Sequence, residues 1–335
     1  MSIRAYSALR AKTAAMRAGH LSRAQYEELK SKASVSDAVA YLKYNTVYGT
    51  LLEHVSERTV HRGDLERLLD RYLQAEVQKL YSFCNDSQKK VLSYTYVRYE
   101  INLLKRILRA LYTGGKAEIA YEAEGFFAKK LSIDVAACAQ ADSAYALIGA
   151  LSGTPYEAVL APPLGAGADL FVTESALDAY YFRYAWRTAL RTLKGKDKQI
   201  VEEAFGSEID MTNLCWIYRQ KRYYNMPGEL IFTTIIPVHY KIPRDRLIEL
   251  VNTPDTESFV ALARTTRYAP LFDGLEARFI EQNYNRMIER LLEKQMRENP
   301  FSIASLIGYL YFLEGELARI VTAVERIRYG VSYEA

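Results

Sequence analysis

Hydrophobic residues recur along most of this chain with the spacing of an α-helix. Between Ser87 and Gly114 the apolar positions lie four, three, four and three residues apart, which places them on one stripe of a helix. These positions are Val97, Ile101, Leu104, Leu108 and Leu111. Ser87 can cap the start of this helix, and Gly114 can end it. A similar stripe follows Asp64, so the pattern predicts an all-α protein.

Proline and glycine interrupt the helical pattern at a few places. Residues 161–168, with the sequence APPLGAGA, are predicted to form a loop because proline and glycine break helices. Residues 225–228 are a second predicted break, and residues 114–115 are a third. The β-branched residues within 232–236 also suit a short strand, but a helix that ends before Pro237 is favoured.

Three short landmarks recur in the same order along the chain. The first is Thr-x-Tyr, which recurs at intervals of 108 and 112 residues. The second is an apolar residue followed by an acid. The third is an acid followed by an apolar residue, and it recurs at intervals of 110 and 106 residues. In chain order the landmarks are Thr46–Tyr48, Leu69-Asp70 and Glu100-Ile101; Thr154–Tyr156, Leu177-Asp178 and Asp210-Met211; and Thr266–Tyr268, Leu275-Glu276 and Glu316-Leu317.

The recurrence predicts one helical domain that is present three times. The third landmark of each block lies on a helix, here called the closing helix, whose apolar stripe has the same phase in all three blocks. The matching stripes are Ile101, Leu104 and Leu108; Met211, Leu214 and Tyr218; and Leu317, Ile320 and Val324. The predicted blocks are residues 1–115, 116–226 and 227–335, with the last closing helix near residues 302–329.

Composition narrows the class of protein. The length of 335 residues suits two or three domains. Half of the residues are hydrophobic and a quarter are charged, so there is ample apolar surface to bury. The net charge of +4 is too small for a dedicated nucleic-acid-binding protein. The three cysteines are far apart, so a reducing compartment is expected rather than a disulfide framework. No secretory signal is expected, and the longest apolar run, residues 301–313, is too short to span a bilayer.

Motifs that carry chemistry do not emerge from the sequence. None of the histidines has a second histidine four residues away, and His61, beside Arg62, is expected at the surface. Residues 165–167 resemble a phosphate loop only superficially, because the Gly-Lys-Ser/Thr ending is missing. No nucleophile elbow or acidic metal-binding box occurs. We therefore predict no catalytic, cofactor or metal site, and an enzyme whose groups converge from distant positions is the least favoured interpretation.

Basic residues form two clusters that could contact a partner. The first lies on one face of a predicted helix, at spacings of four and four residues, and the second ends a closing helix beside aromatic residues. The candidate interface residues are Arg183, Arg187, Arg191, Arg219, Lys221, Arg222 and Tyr223. Arginine suits an acidic protein partner because its guanidinium pairs with carboxylates in a bidentate manner. A solvated helix face is the alternative interpretation.

Two closing helices resemble a known family. Residues 208–214, EIDMTNL, resemble the E-[IV]-D-x-x-N-[LI] signature of the C subunit of V/A-type ATPases, the homologue of the d subunit of the eukaryotic vacuolar ATPase. Residues 309–320 resemble the C-terminal segment of that family, and residues 331–335 stand where the family ends. Leu103 and Arg319 occupy positions where asparagine is usual. The matching positions, which are helical packing positions rather than a reactive cluster, are Glu100, Leu104, Asp210, Asn213, Leu214, Glu316 and Ile320.

The resemblance implies a fold and a role. The fold is an all-α funnel of three similar helical domains around a pseudo-threefold axis. The role is that of a non-catalytic central-stalk subunit, without cofactor, nucleic acid or small-molecule substrate. Such a subunit is a socket and spacer that couples the shaft, made of D and F type subunits, to the membrane rotor ring for proton or sodium transport. It would lie peripherally on the cytoplasmic side of the membrane. The alternative is an all-helical scaffold or adaptor in another multisubunit assembly.

Overall fold

The computed structural model describes residues 3–56, 62–115, 117 and 125–330. The regular structure of these residues is helical, and no strand occurs among them. The prediction of an all-α protein is therefore confirmed. In the same described residues, no helix is both long and apolar enough to span a bilayer.

The helices follow one another with short connections. In chain order they are α1 (Ile3–Arg17), α2 (Arg23–Lys30), α3 (Val35–Asn45), α4 (Arg62–Tyr81), α5 (Asp86–Tyr112), α6 (Gly125–Ala128), α7 (Val135–Gln140), α8 (Ala144–Ala150), α9 (Pro155–Gly165), α10 (Leu170–Thr192), α11 (Gly195–Tyr224), α12 (Gly228–Thr234), α13 (Arg244–Val251), α14 (Thr256–Ala263), α15 (Ala277–Glu298) and α16 (Ala304–Tyr329). Short 3₁₀ helices occupy Val47–Gly49 and Ala269–Phe272. The three predicted closing helices are α5, α11 and α16.

The chain forms two compact units. The first contains Met1–Asn85, Glu122–Phe127 and Glu298–Ala335, and the second contains Asp86–Tyr121 and Ala128–Arg297. Within the first unit, α16 packs against α1, α2, α3 and α4. The C-terminal helix is therefore part of the same core as the N-terminal helices. The three blocks at 1–115, 116–226 and 227–335 stay a prediction.

The second unit contains the other two closing helices. Its helix α5 packs against α7 and α10, while α7, α8 and α9 pack in sequence and α10 also contacts α11 and α12. A continuous apolar core joins α5 to α7–α10, and it includes Ile101, Leu104, Leu147, Leu160 and Leu177. Helix α11 packs on α14, and α12, α13 and α14 pack in sequence.

The closing helices bury the stripes that their spacing predicts. Ile101, Leu104 and Leu108 are 2 % exposed or less, and Met211, Leu214 and Tyr218 are equally buried on α11. On α16 the corresponding residues Leu317, Ile320 and Val324 are buried as well. The predicted breaks after α5 and α11 are present, and Asn225 ends α11 in the left-handed conformation with φ of 45°.

The predicted loop at residues 161–168 is wrong for its first half. Pro162 and Pro163 lie inside α9, which continues to Gly165. The prolines remove only the hydrogen bonds that the carbonyls of Ala158 and Val159 would accept, and neither of these residues is buried. Burial of Leu160 and Leu164 on the other face holds the helix together. It ends when the N–H of Ala168 donates to the Pro163 carbonyl at 2.9 Å.

In the third block the second landmark does not lie on a helix, unlike in the first two blocks. Leu69-Asp70 lies within α4 and Leu177-Asp178 lies within α10, at the same distance from the preceding Thr-x-Tyr. Leu275-Glu276 instead precedes α15, and Leu275 is exposed. The helix position that corresponds to Asp70 and Asp178 falls on Arg290, so the third block keeps the helix without the acid. Residues 232–234 belong to α12, as the helical interpretation predicts.

Candidate functional site: three carboxylate clasps and an arginine groove

The buried acid of each closing helix is the centre of a repeated hydrogen-bonded cluster, here called a carboxylate clasp. In the Glu100 clasp, the Tyr156 hydroxyl donates to Glu100 Oε2 at 2.7 Å. The Ser132 hydroxyl donates to Oε1 at 2.9 Å, and the backbone N–H groups of Ser132 and Ile133 donate to the same oxygen. Glu100 is 2 % exposed, so these donors replace the water that the carboxylate loses.

The Asp210 clasp repeats this geometry with a shorter acid. The Tyr268 hydroxyl donates to Asp210 Oδ2 at 3.0 Å. Backbone N–H groups of Tyr240, Lys241 and Ile242 also donate to the carboxylate, at 3.3, 2.7 and 3.2 Å. Burial raises the pKa of Asp210, and these hydrogen bonds oppose the rise because they favour the charged form.

The Glu316 clasp joins the two ends of the chain. The Tyr48 hydroxyl donates to Glu316 Oε1 at 2.6 Å, and the Leu21 N–H lies 3.2 and 3.1 Å from the two carboxylate oxygens. His20 Nδ1 lies 3.3 Å from Oε2. A histidine thus takes part in this clasp, whereas the Glu100 clasp uses the hydroxyl of Ser132.

The clasps give the Thr-x-Tyr landmark a physical meaning. In each block the threonine hydroxyl accepts a hydrogen bond from the tyrosine backbone N–H, at 3.2, 3.3 and 3.2 Å. The threonine thereby fixes the turn from which the tyrosine ring enters the core. Tyr48, Tyr156 and Tyr268 are at most 2 % exposed, and burial beside a carboxylate raises the pKa of each phenol, so all three stay protonated donors.

The pairing follows a cyclic order along the sequence. Each tyrosine bonds to the acid of the preceding block, so Tyr156 pairs with Glu100 and Tyr268 pairs with Asp210. The first tyrosine, Tyr48, pairs with the acid of the last block, Glu316. Each closing helix is therefore bonded to a residue of the predicted block that follows it, and the last closing helix is bonded to a residue of the first predicted block.

A second polar contact accompanies each clasp. It involves the residue seven positions before the clasp acid, and its partner lies on α10, α15 or α4. The pairs are Ser93 with Tyr184 at 2.8 Å, Glu203 with Gln295 at 2.6 Å, and Tyr309 with Glu76. The contact has the same position relative to the clasp acid in the three cases. Its groups differ: two hydroxyls, a carboxylate with an amide, and a hydroxyl with a carboxylate.

The other predicted packing positions also lie inside the helix cores. Leu104, Leu214 and Ile320 are fully buried. The Asn213 amide donates to the Ile236 carbonyl at 3.0 Å and accepts from the Ile236 N–H at 2.8 Å, which fixes the segment after α12. Asn213 thus makes two backbone hydrogen bonds that leucine, at position 103 of α5, cannot make.

The predicted arginine cluster on α10 lines a groove of the second unit, here called the arginine groove. Its lining combines Arg183, Arg187 and Arg191 on the α10 wall with residues of α9 and of 232–237. The groove has a volume of about 780 Å³, and a neighbouring 450 Å³ hollow shares the three arginines and Pro237. Among the described residues, no carboxylate pairs with any of the three guanidinium groups, and Arg183 Nε is buried without a hydrogen-bond partner.

The second predicted cluster lies at the end of α11, and its residues differ in exposure and in hydrogen bonding. Arg219, Arg222 and Tyr223 are exposed. Lys221 Nζ instead donates to the Thr253 carbonyl at 2.6 Å, and partial burial lowers the pKa of this lysine. Lys221 therefore holds the connection between α13 and α14, while the other three residues face solvent.

Among the described residues, no group of three or more histidine, cysteine, aspartate or glutamate side chains could hold a metal ion. His61 and residues 331–335, for which the sequence made predictions, lie outside the described residues.

The sequence analysis did not predict His20, Leu21 and Ser132 as clasp residues. Their only common signal is a position 24 to 28 residues before the Thr-x-Tyr tyrosine.

Comparison with known proteins gives one consistent result. The family model described as ATP synthase (C/AC39) subunit matches residues 9–335. The C subunit of the A-type ATP synthase of Methanobrevibacter smithii is 24 % identical over 313 residues, covering 88 % of this chain and 77 % of the relative. The protein of the same description from Methanocaldococcus jannaschii is 23 % identical and covers 90 % and 77 %. That from Thermococcus onnurineus is 25 % identical and covers 98 % and 88 %.

Proposed function

Because the chain belongs to the ATP synthase (C/AC39) subunit family, we propose that it is the central-stalk subunit that couples the shaft of a rotary A/V-type ATPase to the membrane rotor ring. Family membership confirms the resemblance predicted from the sequence, and the chain is a non-catalytic stalk subunit of such an ATPase. It therefore belongs to a membrane-associated complex of several subunits. Its place on the cytoplasmic face, its contact with D and F type shaft subunits and its contact with the ring are parts of the proposal.

The threefold recurrence of the carboxylate clasp is the observation that carries this function. A coupling subunit has to transmit torque without yielding, so its helices have to resist sliding against one another. Each clasp bonds a closing helix to the following predicted block through a buried carboxylate that accepts hydrogen bonds from a tyrosine hydroxyl and from at least one backbone N–H. If a donor moves away, the buried carboxylate is poorly compensated, which costs free energy. This cost resists movement of the closing helix and makes the bonded arrangement stiff.

The proposal keeps the funnel that the family resemblance implies, in which three similar domains surround a pseudo-threefold axis. In this proposal the axis passes through a socket that receives the tip of the shaft. The blocks differ in the polar contact seven residues before each clasp acid, and such differences allow an asymmetric shaft to bind in one orientation.

Co-expression tests the function directly. The chain would be produced together with the shaft subunits and the ring subunit of the same organism and purified through a tag on the shaft. We expect a complex at low salt that contains this chain in stoichiometric amount. Failure to form any complex with shaft or ring, while the chain alone is folded, would refute the proposal. A stable complex with unrelated proteins would favour the scaffold alternative.

The exposed cluster at the end of α11 supplies a residue-level test. We expect the double reversal Arg219→Glu and Arg222→Glu to weaken co-purification with the complex without unfolding the chain, because both side chains are exposed. Circular dichroism reports folding, and the amount of captured chain reports assembly. A matched control is Lys221→Met, whose lysine is bonded to Thr253 and should affect stability rather than assembly. Unchanged capture of the folded double variant would show that this cluster is not an interface.

A further inference from the structure

The charges of α10 are divided between two sides of the helix. On the side that packs against α5, Asp178 pairs with Lys105 and Glu174 pairs with Arg109, each at 2.6 Å. The side that lines the arginine groove carries the three positively charged arginines, and no carboxylate of the described residues pairs with them. The carboxylates of α10 are therefore neutralised within the protein, while the three arginines of the groove are not.

The groove combines this positive wall with apolar surfaces. Val159, Ala176, Ala179 and Phe232 line it, and Phe232 is 39 % exposed. A free anion or a nucleic-acid backbone would satisfy the arginines but would leave these apolar surfaces in contact with water. An occupant that covers both needs carboxylates on one side and apolar side chains on the adjacent side, which is the pattern of an acidic amphipathic helix.

The spacing of the arginines fits the same occupant. Arg183, Arg187 and Arg191 recur every four residues, so their Cα atoms are spaced about 6 Å apart along α10. Carboxylates at positions i and i+4 of a helix have the same spacing, so two helices laid side by side can form successive ion pairs. The small side chains of Ala176 and Ala179 on the α10 wall allow the backbone of such a helix to approach closely.

We propose that the arginine groove is the docking site for an acidic amphipathic helix of another subunit of the ATPase. This inference rests on the proposed function, because it takes the occupant from the complex in which the chain is a stalk subunit. It adds the location of the contact, the secondary structure of the partner segment and the charge pattern of that segment. Arg187 and Arg191, which are exposed, make the ion pairs, and Phe232 contacts the apolar side of the docked helix.

Site-specific cross-linking in the co-expressed complex tests the location. A photoreactive amino acid would replace Thr188, which lies between the two exposed arginines and lines the groove. We expect a cross-link to a shaft or ring subunit, within a segment that carries acidic residues four positions apart. A cross-link to a second copy of this chain or to nucleic acid would overturn the inference, and so would an assembled complex without a cross-link at this position.

Charge reversal tests the chemistry with a matched control. We expect Arg187→Glu with Arg191→Glu to weaken binding of the purified shaft subunits or of the ring by about tenfold or more at low salt. The control, Arg286→Glu with Arg290→Glu, changes the net charge equally on exposed residues of α15 with the same spacing, and it should change binding less than about threefold. Equal effects of the two pairs would mean that only net charge matters and would overturn the inference.

The two proposals fail in different ways. If the complex assembles but neither the cross-link nor the selective loss of binding occurs, the docking site is wrong and the stalk function stands. If the unmodified chain forms no complex with shaft or ring, the stalk function fails, and the docking proposal fails with it. Thermal melting of each variant alone separates a loss of binding from a loss of folding.

Discussion

The Glu100 and Glu316 clasps have the same parts but different positions in the chain. In the first, the acid and its tyrosine are 56 residues apart, and in the second they are 268 residues apart. Closing a longer loop costs more conformational entropy. The ratio of the two separations corresponds to a difference of about 1.4 kcal/mol in the free energy of loop closure. The comparison indicates that the Glu100 clasp can form from neighbouring segments, whereas the Glu316 clasp needs both ends of the chain.

The two clasps also differ in their titratable groups. The Glu100 carboxylate is bonded to a hydroxyl, a phenol and backbone N–H groups, none of which titrates near neutral pH. The Glu316 carboxylate faces His20. The same hydrogen-bond pattern can therefore be insensitive to pH in one unit and sensitive in the other.

Removing the acid should have the largest effect on either clasp. Glu100→Ala leaves the Tyr156 hydroxyl and the donors of Ser132 and Ile133 unpaired, and Glu316→Ala does the same to Tyr48 and Leu21. We expect each variant to lose about 3–5 kcal/mol in the free energy of unfolding, measured by denaturant titration.

Hydrogen exchange would show where each loss occurs. Glu316→Ala should expose the amides of α16 and the N-terminal helices, and Glu100→Ala should expose those of α5 and α7. The exposed control Glu298→Ala should change stability by less than about 0.5 kcal/mol. A global loss of protection that is identical in the two clasp variants would contradict a separate role for each clasp.

Removing the tyrosine hydroxyl should have a smaller and nearly equal effect. Tyr48→Phe and Tyr156→Phe each delete one hydrogen bond to a charged group and keep the buried ring, so about 1.5–3 kcal/mol should be lost. Both rings also contact a second tyrosine edge-on, Tyr72 and Tyr180, which keeps the ring in place. The change in the denaturation midpoint measures the effect. If the losses in the free energy of unfolding differed by more than about 2 kcal/mol between the two variants, the two clasps would not be equivalent.

The smallest expected effect is a dependence on pH that only the Glu316 clasp shows. Burial lowers the pKa of His20 below its ordinary value of 6.5, Glu316 and Glu76 oppose this shift, and Arg17 and Arg319 add to it. The unfolded chain therefore binds a proton more readily than the folded chain. The contribution of His20 to stability is complete above pH 6.5 and is lost as the pH falls towards the folded pKa.

Comparison of the wild-type protein with His20→Gln isolates this contribution. The stability of the wild-type protein should decrease more between pH 7.5 and pH 5.5 than that of the variant, because glutamine does not titrate. Thermal melting at the two pH values measures the difference. A variant of the other clasp, Ser132→Ala, should keep the full pH dependence of the wild-type protein. Identical pH slopes with and without His20 would show that the histidine does not distinguish the clasps.

Much of the local structure could be predicted from the sequence. The closing helices, their buried stripes and the breaks that follow α5 and α11 depend on interactions within about four residues, which a periodic pattern records. The error at Pro162 and Pro163 has a tertiary cause, because burial of Leu160 and Leu164 outweighs the hydrogen bonds that proline removes. The error at Leu275-Glu276 arose because a short motif outside a helix can match one inside a helix by chance.

Helical spacing and the recurrence of short landmarks were enough to predict that this protein is helical, that three acids open equivalent apolar stripes and that three Thr-x-Tyr landmarks recur. The packing of the folded chain was needed to show that each tyrosine bonds to the acid of the preceding predicted block and that the first bonds to the last. It was also needed to show that Arg183, Arg187 and Arg191 line a groove together with apolar residues while the carboxylates of α10 are paired elsewhere. Helical spacing specifies which face of a helix is buried, whereas the neighbour on that face is chosen by packing between segments far apart in the chain.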